Sequence, residues 1–356
     1  MPKQKKINVG IIGCLGYGGI GTIELLLSHP YVELTALINR TEFGKKISDL
    51  FPHLLGHCDQ TILNMDDTKW QNRIEMIFCA TPDGVAQNWA AQCYKKGIRM
   101  IDFSGDFRFK RIEDYKIYAS RIGRESPHAC PELLKGSAYG LPEINRINIK
   151  KSSLVGNPGC FATACILAMA PALKENLVDL KTLIFDGKTG ISGAGKKPNP
   201  LYHYPEIYDN MRSYKINRHQ HVLEIKNQLS QLSSGAPAVD FTPSVMPVNR
   251  GILVSAYAKA LPAKINADFY KIYRKFYQNE PFVRVFSKND ALCTADVRGT
   301  NFCHLSVNYN AETNSLIVIS HIDNLMKGQA GNAVQNFNIM YGFPEDTGLN
   351  KLMPHP

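Results

Sequence analysis

The chain has 356 residues, of which 44% are hydrophobic and 20% charged, a composition typical of a globular protein of about two domains. Its 41 Lys and Arg outnumber 31 Asp and Glu, giving a formal net charge of +10. These basic residues are spread along the chain rather than gathered in a stripe, so we expect no nucleic-acid site. A positive cleft would instead attract small phosphorylated anions.

Cysteine usage and the start of the chain indicate the compartment. The 9 cysteines are an odd number and include no Cys-x-x-Cys pair, which argues against a disulfide framework and a zinc ribbon. The first residues lead directly into a strand-like segment without a signal-peptide core. No apolar run reaches the roughly 18 residues that a membrane span needs. We therefore expect a cytoplasmic protein that binds no membrane.

The first elements in the chain are a strand, a glycine loop and a helix. An apolar strand predicted at residues 6–12 leads into closely spaced glycines and then into a helical segment at 22–27. In a dinucleotide site, glycines let the backbone approach the pyrophosphate, and the helix N-terminus stabilises its charge. A tight turn is the alternative, but a strand predicted at 32–38 completes a β-α-β unit. We expect a dinucleotide to be held by Gly13, Gly16, Tyr17 and Gly18.

The end of the second strand indicates which dinucleotide binds. An NAD enzyme usually carries Asp or Glu there to hold the ribose 2′-hydroxyl. This chain has Asn39, Arg40 and Thr41 instead, and an arginine suits a 2′-phosphate. Although Arg40 can also be a surface turn residue, the pattern favours NADP over NAD, with Arg40 and Thr41 as contacts.

Further strands and helices extend this domain into a Rossmann-type, doubly wound α/β sheet. Strands are predicted at 74–80 and 99–102, with a helix at 85–96 between them. The first of these strands ends at Thr81 and Pro82. Loops at the carboxyl ends of strands are where open α/β sheets bind ligands, so we expect both residues to contact the cofactor.

Arg108 closes the segment Asp-Phe-Ser-Gly-Asp-Phe-Arg, which follows the strand at 99–102. A guanidinium can hold a carboxylate or a phosphate through two parallel hydrogen bonds. Arg108 can equally be the structural ion-pair partner of Asp106 or Glu113. We consider it a candidate substrate contact.

Cys160 lies where a helix is predicted to begin. Asn157 is interpreted as the N-cap, Pro158 as the first helical residue and 161–173 as the helix body. Cys160 then falls in the first turn, where unpaired N–H groups and the helix dipole favour a thiolate, which is a nucleophile. A buried, unreactive cysteine is the alternative, and Cys165 in the same helix fits it.

From Cys160 onward the pattern changes to longer strands and irregular loops. Strands at 183–185, 251–257 and 305–309 suggest an antiparallel or mixed sheet in a second, α+β domain for substrate binding and dimerisation. The glycine-rich loop around Ser192 can present backbone N–H groups to an anion, or be a simple surface turn. We predict domains at 1–156 and 157–322, with a helix at 323–340 within a terminal segment, about 323–356, that completes the first domain.

Two histidines, His219 and His221, lie at the start of an apolar helical segment. A histidine can donate a proton near neutral pH, and a cysteine nucleophile needs a partner of that kind. The His-x-His spacing also allows metal binding. Because no third and fourth ligands are evident nearby, we predict no metal.

Together these residues resemble the N-acetyl-γ-glutamyl-phosphate reductases, the NADP-dependent enzymes of arginine biosynthesis and relatives of aspartate-semialdehyde dehydrogenase. The likeness covers nearly the whole chain, and its motifs come in family order. They are Val9-Gly-Ile-Ile-Gly, His29-Pro-Tyr-Val-Glu-Leu, Asp102-Phe-Ser-Gly-Asp-Phe-Arg, Tyr139-Gly-Leu-Pro-Glu, Asn157-Pro-Gly-Cys, Ser192-Gly-Ala-Gly, Met246-Pro-Val-Asn-Arg-Gly, Pro281-Phe-Val and Asp323-Asn-Leu.

The resemblance implies roles for individual residues. Cys160 would be the nucleophile and His221, with His219 beside it, the acid and base. This sequence departs from the family's histidine motif at Gln220 and Leu223. The offset of Arg218 relative to that motif leaves the choice between the two histidines open. The glycine loop is lengthened by residues 20–22, which leaves the individual phosphate contacts open. The resemblance also places Ser192, Gly193 and Asn324 near the nicotinamide. Arg108 and Asn157 are our candidate substrate contacts.

The expected reaction is NADPH-dependent reduction of N-acetyl-γ-glutamyl phosphate to a semialdehyde through a cysteinyl thioester. Two alternatives stay open. One is the same chemistry on an aminoadipyl or aspartyl phosphate, and the other is a non-catalytic NADP-binding sensor. Apolar segments in the second domain lead us to expect a homo-oligomer, either a dimer or a tetramer.

Overall fold

The computed structural model describes residues 5–287 and 292–352. Packing divides the chain into two units. The first contains residues up to Lys116, Ser126–Pro158 and Gln329–Lys351, and the second contains Ile117–Glu125 and Gly159–Gly328. The boundaries therefore follow Pro158 and Gly328, slightly later than predicted, because Asn157 still hydrogen-bonds to the first unit through Asp102.

The first unit is built on a seven-stranded sheet whose strands are all parallel, in the order β3-β2-β1-β4-β5-β7-β6. The strands are β1 Ile7–Ile12, β2 Val32–Asn39, β3 Leu63–Asn64, β4 Met76–Cys79, β5 Arg99–Asp102, β6 Ala138–Tyr139 and β7 Leu154–Gly156. The helices are α1 Tyr17–Leu27, α2 Ile47–Leu50, α3 Gln87–Lys95, α5 Pro142–Lys151 and α4 Ile112–Arg121, of which the part from Ile117 belongs to the second unit. This is the predicted doubly wound sheet.

The strand order explains where this unit can bind a ligand. Chain order reverses between β1 and β4, and ligands of open α/β sheets bind outside the carboxyl ends of strands at such a point. The glycine loop follows β1 and Thr81 follows β4. Helix α1 begins at Tyr17, five residues before the predicted position 22, because glycines 18 and 19 continue the helix instead of delaying it.

The second unit is built on a seven-stranded mixed sheet in the order β12-β13-β14-β11-β8-β10-β9. The strands are β8 Leu183–Gly190, β9 Arg212–Ser213, β10 Val239–Met246, β11 Ile252–Lys259, β12 Val283–Phe286, β13 Cys303–Asn310 and β14 Ser315–Ile322. The helices are α6 Cys160–Lys174, α7 Tyr204–Ile207, α8 His221–Ser230 and α9 Phe269–Phe276. The predicted mixed sheet is confirmed, and its strands extend beyond the predicted segments.

Helix α6 is the central helix of the second unit, and residues 161–173 are all buried. Its predicted N-terminus was wrong in detail: Gly159 is the N-cap, without a side-chain cap, and Cys160 is the first helical residue. Asn157 does not cap the helix because its side chain bonds elsewhere. Cys160 nevertheless lies in the first turn, as predicted.

The C-terminal segment is more irregular than the single helix predicted at 323–340. Asn324 and Leu325 form a turn, a π-helix follows at Met326–Ala330, and α10 spans Gly331–Tyr341. Helix α10 packs on α1, α5 and β5 of the first unit. Within the described ranges, no helix is long and apolar enough to cross a membrane. Residues 353–356 of the predicted terminal segment lie outside those ranges.

Candidate active site

The glycine loop after β1 turns tightly into the N-terminus of α1. Gly13 has φ +80°, and a Cβ there would overlap the carbonyl oxygen of Ala80. A Cβ at Gly19 would overlap the carbonyl oxygen of Gly13. Gly16 is the N-cap of α1 and provides no side-chain cap. The first N–H groups of α1 are therefore not satisfied by a capping side chain, which is the arrangement that binds a phosphate.

Other predicted cofactor contacts lie around this loop. Thr81, followed by Pro82, directly follows Ala80, and its methyl carbon lies 3.2 Å from the position of a Cβ at Gly13. The buried Thr81 hydroxyl has no hydrogen-bond partner among the described residues. Gly18 is approached by the side chain of Gln329, whose amide nitrogen would lie 3.0 Å from a Cβ at Gly18. A polar group on a bound nucleotide would satisfy the threonine hydroxyl.

Arg40 and Thr41 are both exposed at the carboxyl end of β2. The Asn39 side-chain amide donates to the Thr41 carbonyl and hydroxyl, both at 3.0 Å, and so shapes this turn. Across residues 5–287 and 292–352, the Arg40 guanidinium takes part in no ion pair. It is therefore available to an anionic ligand.

Arg108 is buried, and it directs two of its donors to backbone carbonyls. Its Nε donates to the Asn157 carbonyl at 2.8 Å and its Nη2 to the Phe103 carbonyl at 2.7 Å. These bonds fix the end of β7, three residues before Cys160. The structure thus gives Arg108 a backbone-holding contact that the sequence did not suggest, while its contact with substrate stays a prediction.

Asn157 is held on all sides within the first unit. Its N–H donates to the Asp102 carbonyl at 2.7 Å, and its side-chain nitrogen donates to the Gln329 carbonyl at 3.0 Å. Its side-chain oxygen accepts from the amides of Asn332 and Asn336 on α10, at 2.8 and 3.1 Å. An asparagine bonded in this way sets the course of the chain into Cys160.

Cys160 is the most accessible cysteine of α6, because it is half-buried whereas Cys165 is fully buried. Burial raises the pKa of the Cys165 thiol well above its usual range, so Cys165 stays protonated and unreactive. Cys160 lies instead at the positive end of a 15-residue helix. The structure therefore places the predicted nucleophile where a thiolate is stabilised.

His221, the first residue of α8, packs directly against the residue before Cys160. A Cβ at Gly159 would overlap the imidazole, with Nε2 as its nearest atom. Only glycine at position 159 leaves room for the ring in this position. The structure thus brings His221 to the start of α6, beside the predicted nucleophile.

His219 lies in an aromatic environment. Its ring centroid is 5.5 Å from those of Tyr214 and Phe241, 5.9 Å from that of Phe161 and 4.6 Å from that of His221. Its Nδ1 accepts the backbone N–H of His221 at 3.2 Å. Burial, and secondarily the charge of His221, lower the pKa of His219 to about 2. His219 therefore stays neutral and holds the start of α8.

Glu224 is a site residue that sequence reasoning missed. It is fully buried on α8, and its Oε1 accepts the N–H of Gly159 at 2.8 Å. A carboxylate three residues after His221, within a buried helical stretch, was the available signal. Glu224 and His221 together hold Gly159 from two directions.

Ser192 is held by Asn324. The Asn324 amide donates to the Ser192 hydroxyl at 2.9 Å, and its oxygen accepts the Gly251 N–H at 2.8 Å. A Cβ at the exposed Gly193 would lie 3.2 Å from the Thr189 hydroxyl. The structure thus brings three predicted residues of this unit, Ser192, Gly193 and Asn324, into one cluster.

In the part of the chain that is described, no three His, Cys, Asp or Glu side chains are arranged to hold a metal.

Comparison with known proteins identifies the family. The model of the semialdehyde dehydrogenase NAD-binding domain matches residues 8–152, and that of the semialdehyde dehydrogenase dimerisation domain matches residues 160–324. The N-acetyl-γ-glutamyl-phosphate reductase of Bacillus cereus is 38% identical over 346 residues, which are 97% of this chain and 99% of that protein. The chain belongs to the N-acetyl-γ-glutamyl-phosphate reductase family.

Other relatives agree with this membership. The N-acetyl-γ-glutamyl-phosphate reductase of Desulforamulus reducens is 42% identical over 344 residues, 97% of this chain and 98% of that protein. The crystal structure of aspartate semialdehyde dehydrogenase II from Vibrio cholerae has a TM-score of 0.72, covering 95% of this chain and 99% of that chain at 16% identity, and so shares its fold. Family membership confirms the predicted oxidoreductase class and a nicotinamide nucleotide as cofactor.

Proposed function

We propose that this protein reduces N-acetyl-γ-glutamyl phosphate to N-acetylglutamate semialdehyde and phosphate, with NADPH as reductant, as a step of arginine biosynthesis. The observation that supports the chemistry most directly is the junction of α6 and α8. It places a half-buried Cys160 at the first position of a long helix, with the His221 imidazole packed against Gly159. A helix N-terminus and an adjacent imidazole are what a cysteine nucleophile requires.

The first half of the proposed reaction forms a thioester. The Cys160 thiolate attacks the acyl phosphate carbonyl, and the negative charge that develops on the carbonyl oxygen is stabilised by N–H groups at the start of α6. The carbonyl then re-forms, and the carbon–oxygen bond to phosphate breaks with both electrons going to the phosphate. Cys160 remains bonded to the acyl group.

The second half reduces the thioester. When bound, NADPH supplies a hydride to the thioester carbon. His221 donates a proton to the resulting oxyanion, or to the Cys160 sulfur as the carbon–sulfur bond breaks and the aldehyde leaves. His219 is a poor proton donor at neutral pH, because burial lowers its pKa to about 2 and the ring is then a neutral imidazole rather than an imidazolium. This favours His221 as the acid and base.

The proposed preference for NADP rests on the end of β2. The glycine loop suits a pyrophosphate, because α1 begins at the N-cap Gly16 and its first N–H groups have no side-chain cap. Beyond the ribose, the exposed Arg40 and Thr41 offer a guanidinium and a hydroxyl to a 2′-phosphate, and no carboxylate is present at residues 39–41 to hold a 2′-hydroxyl.

Two alternatives remain for the function. A longer aminoadipyl phosphate or a shorter aspartyl phosphate would undergo the same chemistry, and one methylene changes binding by only about 1–3 kcal/mol. A non-catalytic NADP sensor would keep the glycine loop but would not need the Cys160–His221 junction. The retained junction favours the enzyme.

We also propose that the protein is a homo-oligomer assembled through the second sheet. Helix α6 packs on one face of β11 and β14. On the opposite face, Ile184, Tyr257 and Ile317 lie side by side in register, and Ile184 and Tyr257 are 46% and 36% exposed. An apolar sheet face of this kind is covered by a second copy in a dimer, and pairs of dimers would give a tetramer.

Tyr257→Glu should shift the protein from dimer to monomer in sedimentation experiments, and an unchanged dimer would refute this interface.

The cysteines support a reducing compartment. All nine are free thiols in the structure, including the exposed Cys293 and the half-buried Cys160. A nucleophile of this type works only while it stays reduced. We therefore propose that the protein acts in the cytoplasm.

The test is the reverse reaction. N-acetylglutamate semialdehyde, phosphate and NADP⁺ should give NADPH absorbance that depends on all three components, and NAD⁺ should be a much poorer substrate. Parallel assays with aminoadipyl and aspartyl semialdehydes identify the preferred acyl group. Absence of turnover with every aldehyde would favour the sensor, and faster turnover with another aldehyde would replace the proposed substrate.

A further inference from the structure

A fully buried carboxylate lies at the turn before the π-helix at Met326–Ala330. Asp323 accepts the N–H groups of Leu325 and Met326 at 2.8 and 3.1 Å through Oδ1. It accepts the N–H of Gly299 at 2.6 Å through Oδ2. These bonds fix the chain direction at the start of the π-helix and tie it to the segment that precedes β13.

The charge of Asp323 is balanced by Arg250, which precedes β11. The Arg250 Nε lies 3.0 Å from Oδ2 of Asp323, and Nη2 donates to Oδ1 at 3.2 Å. The arginine side chain is 30% exposed and that of Asp323 is 0% exposed. A buried carboxylate needs such a partner, because an isolated charge in the interior is strongly destabilising.

Gly328, within the π-helix, connects the residue Asp323 to Cys160. The N–H of Gly328 donates to the Asp323 carbonyl at 3.0 Å. A Cβ at Gly328 would lie 2.8 Å from the Cys160 Cβ and 3.3 Å from its Cα. The backbone of Gly328 therefore packs closely against Cys160, and any side chain at position 328 would clash with the cysteine unless one of them moved.

From this geometry we propose that Arg250 and Asp323 are positioning residues for Cys160. They fix the turn that holds Gly328 against the cysteine, and Gly328 limits the directions in which the thiol can point. Neither residue takes part in a bond-making step. This inference rests on the proposed function, since it assigns a purpose to the orientation of the nucleophile.

The expected effect is large because the orientation of a reacting group contributes strongly to catalysis. A displacement of about 1 Å of a reacting group can cost about 100-fold in rate. Looser support of Cys160 should therefore lower kcat for acyl phosphate reduction by about tenfold or more. The KM for the substrate should change less, because no substrate contact is removed.

The experiment uses the full-length protein with Arg250→Lys, Asp323→Asn and Gly328→Ala. Lysine cannot reproduce the two-point contact of Arg250, and alanine puts a methyl group against Cys160. Glu345→Gln is the matched control, because Glu345 pairs with Arg146 in the first unit and has no contact with Cys160. Besides kcat and KM, mass spectrometry follows the rate at which iodoacetamide alkylates Cys160, with the exposed Cys293 as the internal reference.

We expect Arg250→Lys and Gly328→Ala to change the ratio of Cys160 to Cys293 alkylation by several-fold and to lower kcat, whereas Glu345→Gln changes neither. If Asp323→Asn does not fold, these two variants decide the question. The inference would be overturned if both Arg250→Lys and Gly328→Ala kept an alkylation ratio and a kcat within about twofold of the parent protein. The Arg250–Asp323 ion pair would then stabilise the fold without orienting Cys160. Failure of the proposed function would differ, since the parent itself would then not turn over while the alkylation ratio still responded.

Discussion

His219 and His221, the two histidines near Cys160, differ in role because their surroundings differ. Both lie within three residues at the start of α8, and sequence alone left their roles open. His219 is enclosed by Phe161, Tyr214 and Phe241, and burial lowers its pKa to about 2. His221 instead packs against Gly159. Aromatic residues distant in sequence create this difference, so the spacing of the histidines could not predict it.

Replacing each histidine should therefore have a different kinetic effect. His221→Gln removes the proposed proton donor, and we expect kcat to fall by about 10²- to 10⁴-fold. His219→Gln should preserve the shape of the pH–rate profile, because a residue that stays neutral between pH 5 and 9 contributes no titration. Steady-state kinetics over that pH range measure both effects. Loss of a limb of the profile in His219→Gln alone would reverse the assignment.

His219 also affects stability in acid. Its pKa is lowered to about 2 in the folded protein, while an unfolded histidine has a pKa of about 6.5. As pH falls below about 6.5, the unfolded chain takes up a proton that the folded chain excludes, so the free energy of unfolding decreases. Above about pH 6.5 this destabilisation is absent. His219→Gln should make the free energy of unfolding less steep between pH 6.5 and 4, as measured by urea denaturation, and an unchanged slope would contradict the burial argument.

At the scale of elements, the sequence predicted the position of α6 but not the hydrogen bonds that other segments donate to it. Its apolar run predicted a buried helix, yet Pro171 lies within it and has no N–H to donate to the Leu167 carbonyl four residues earlier. Tyr277, just after α9, donates its hydroxyl to that carbonyl at 2.6 Å. Tyr273 donates to the Ala168 carbonyl at 2.8 Å. Hydrogen bonds donated by residues more than 100 positions away cannot be predicted from the local sequence of α6.

Loss of the hydrogen bond from Tyr277 to the Leu167 carbonyl should destabilise the second unit. Tyr277→Phe leaves the buried Leu167 carbonyl without the tyrosine donor, and we expect the free energy of unfolding to fall by about 1–3 kcal/mol. Tyr273→Phe is the comparison variant and should cost less, because Ala172, four residues after Ala168, is not a proline and keeps an N–H that is free to donate to the Ala168 carbonyl once the tyrosine hydroxyl is removed. Urea denaturation compares the two. A greater loss in Tyr273→Phe would show that Pro171 is not the reason for the contact.

The same contrast between local and distant signals holds at the predicted site. The strand, glycine loop and helix after β1 were readable because their residues are consecutive. The N-cap of α6 was assigned to Asn157 because the local pattern is typical of a cap, but α10 supplies amides that compete for its side-chain oxygen. Glu224 and the Arg250–Asp323 pair were missed because their contacts join segments separated by 65 and 73 residues.

At the scale of the whole molecule, the chemistry is divided between two units. The first holds the glycine loop and Arg40, which suit a nicotinamide nucleotide. The second holds Cys160, His221 and Glu224, which suit covalent catalysis, and carries the sheet face proposed to bind a second copy. Family membership over nearly the full length connects both units to one reductase reaction.

The central claim is that Cys160 carries the acyl group. The most direct measurement incubates the enzyme with N-acetyl-γ-glutamyl phosphate without any nucleotide, quenches in acid and records the intact mass and the modified peptide. We predict one N-acetylglutamyl group per chain on Cys160, which is lost when NADPH is added and never forms in Cys160→Ser. An unmodified enzyme that still turns over, or an acyl group on another residue, would contradict the account.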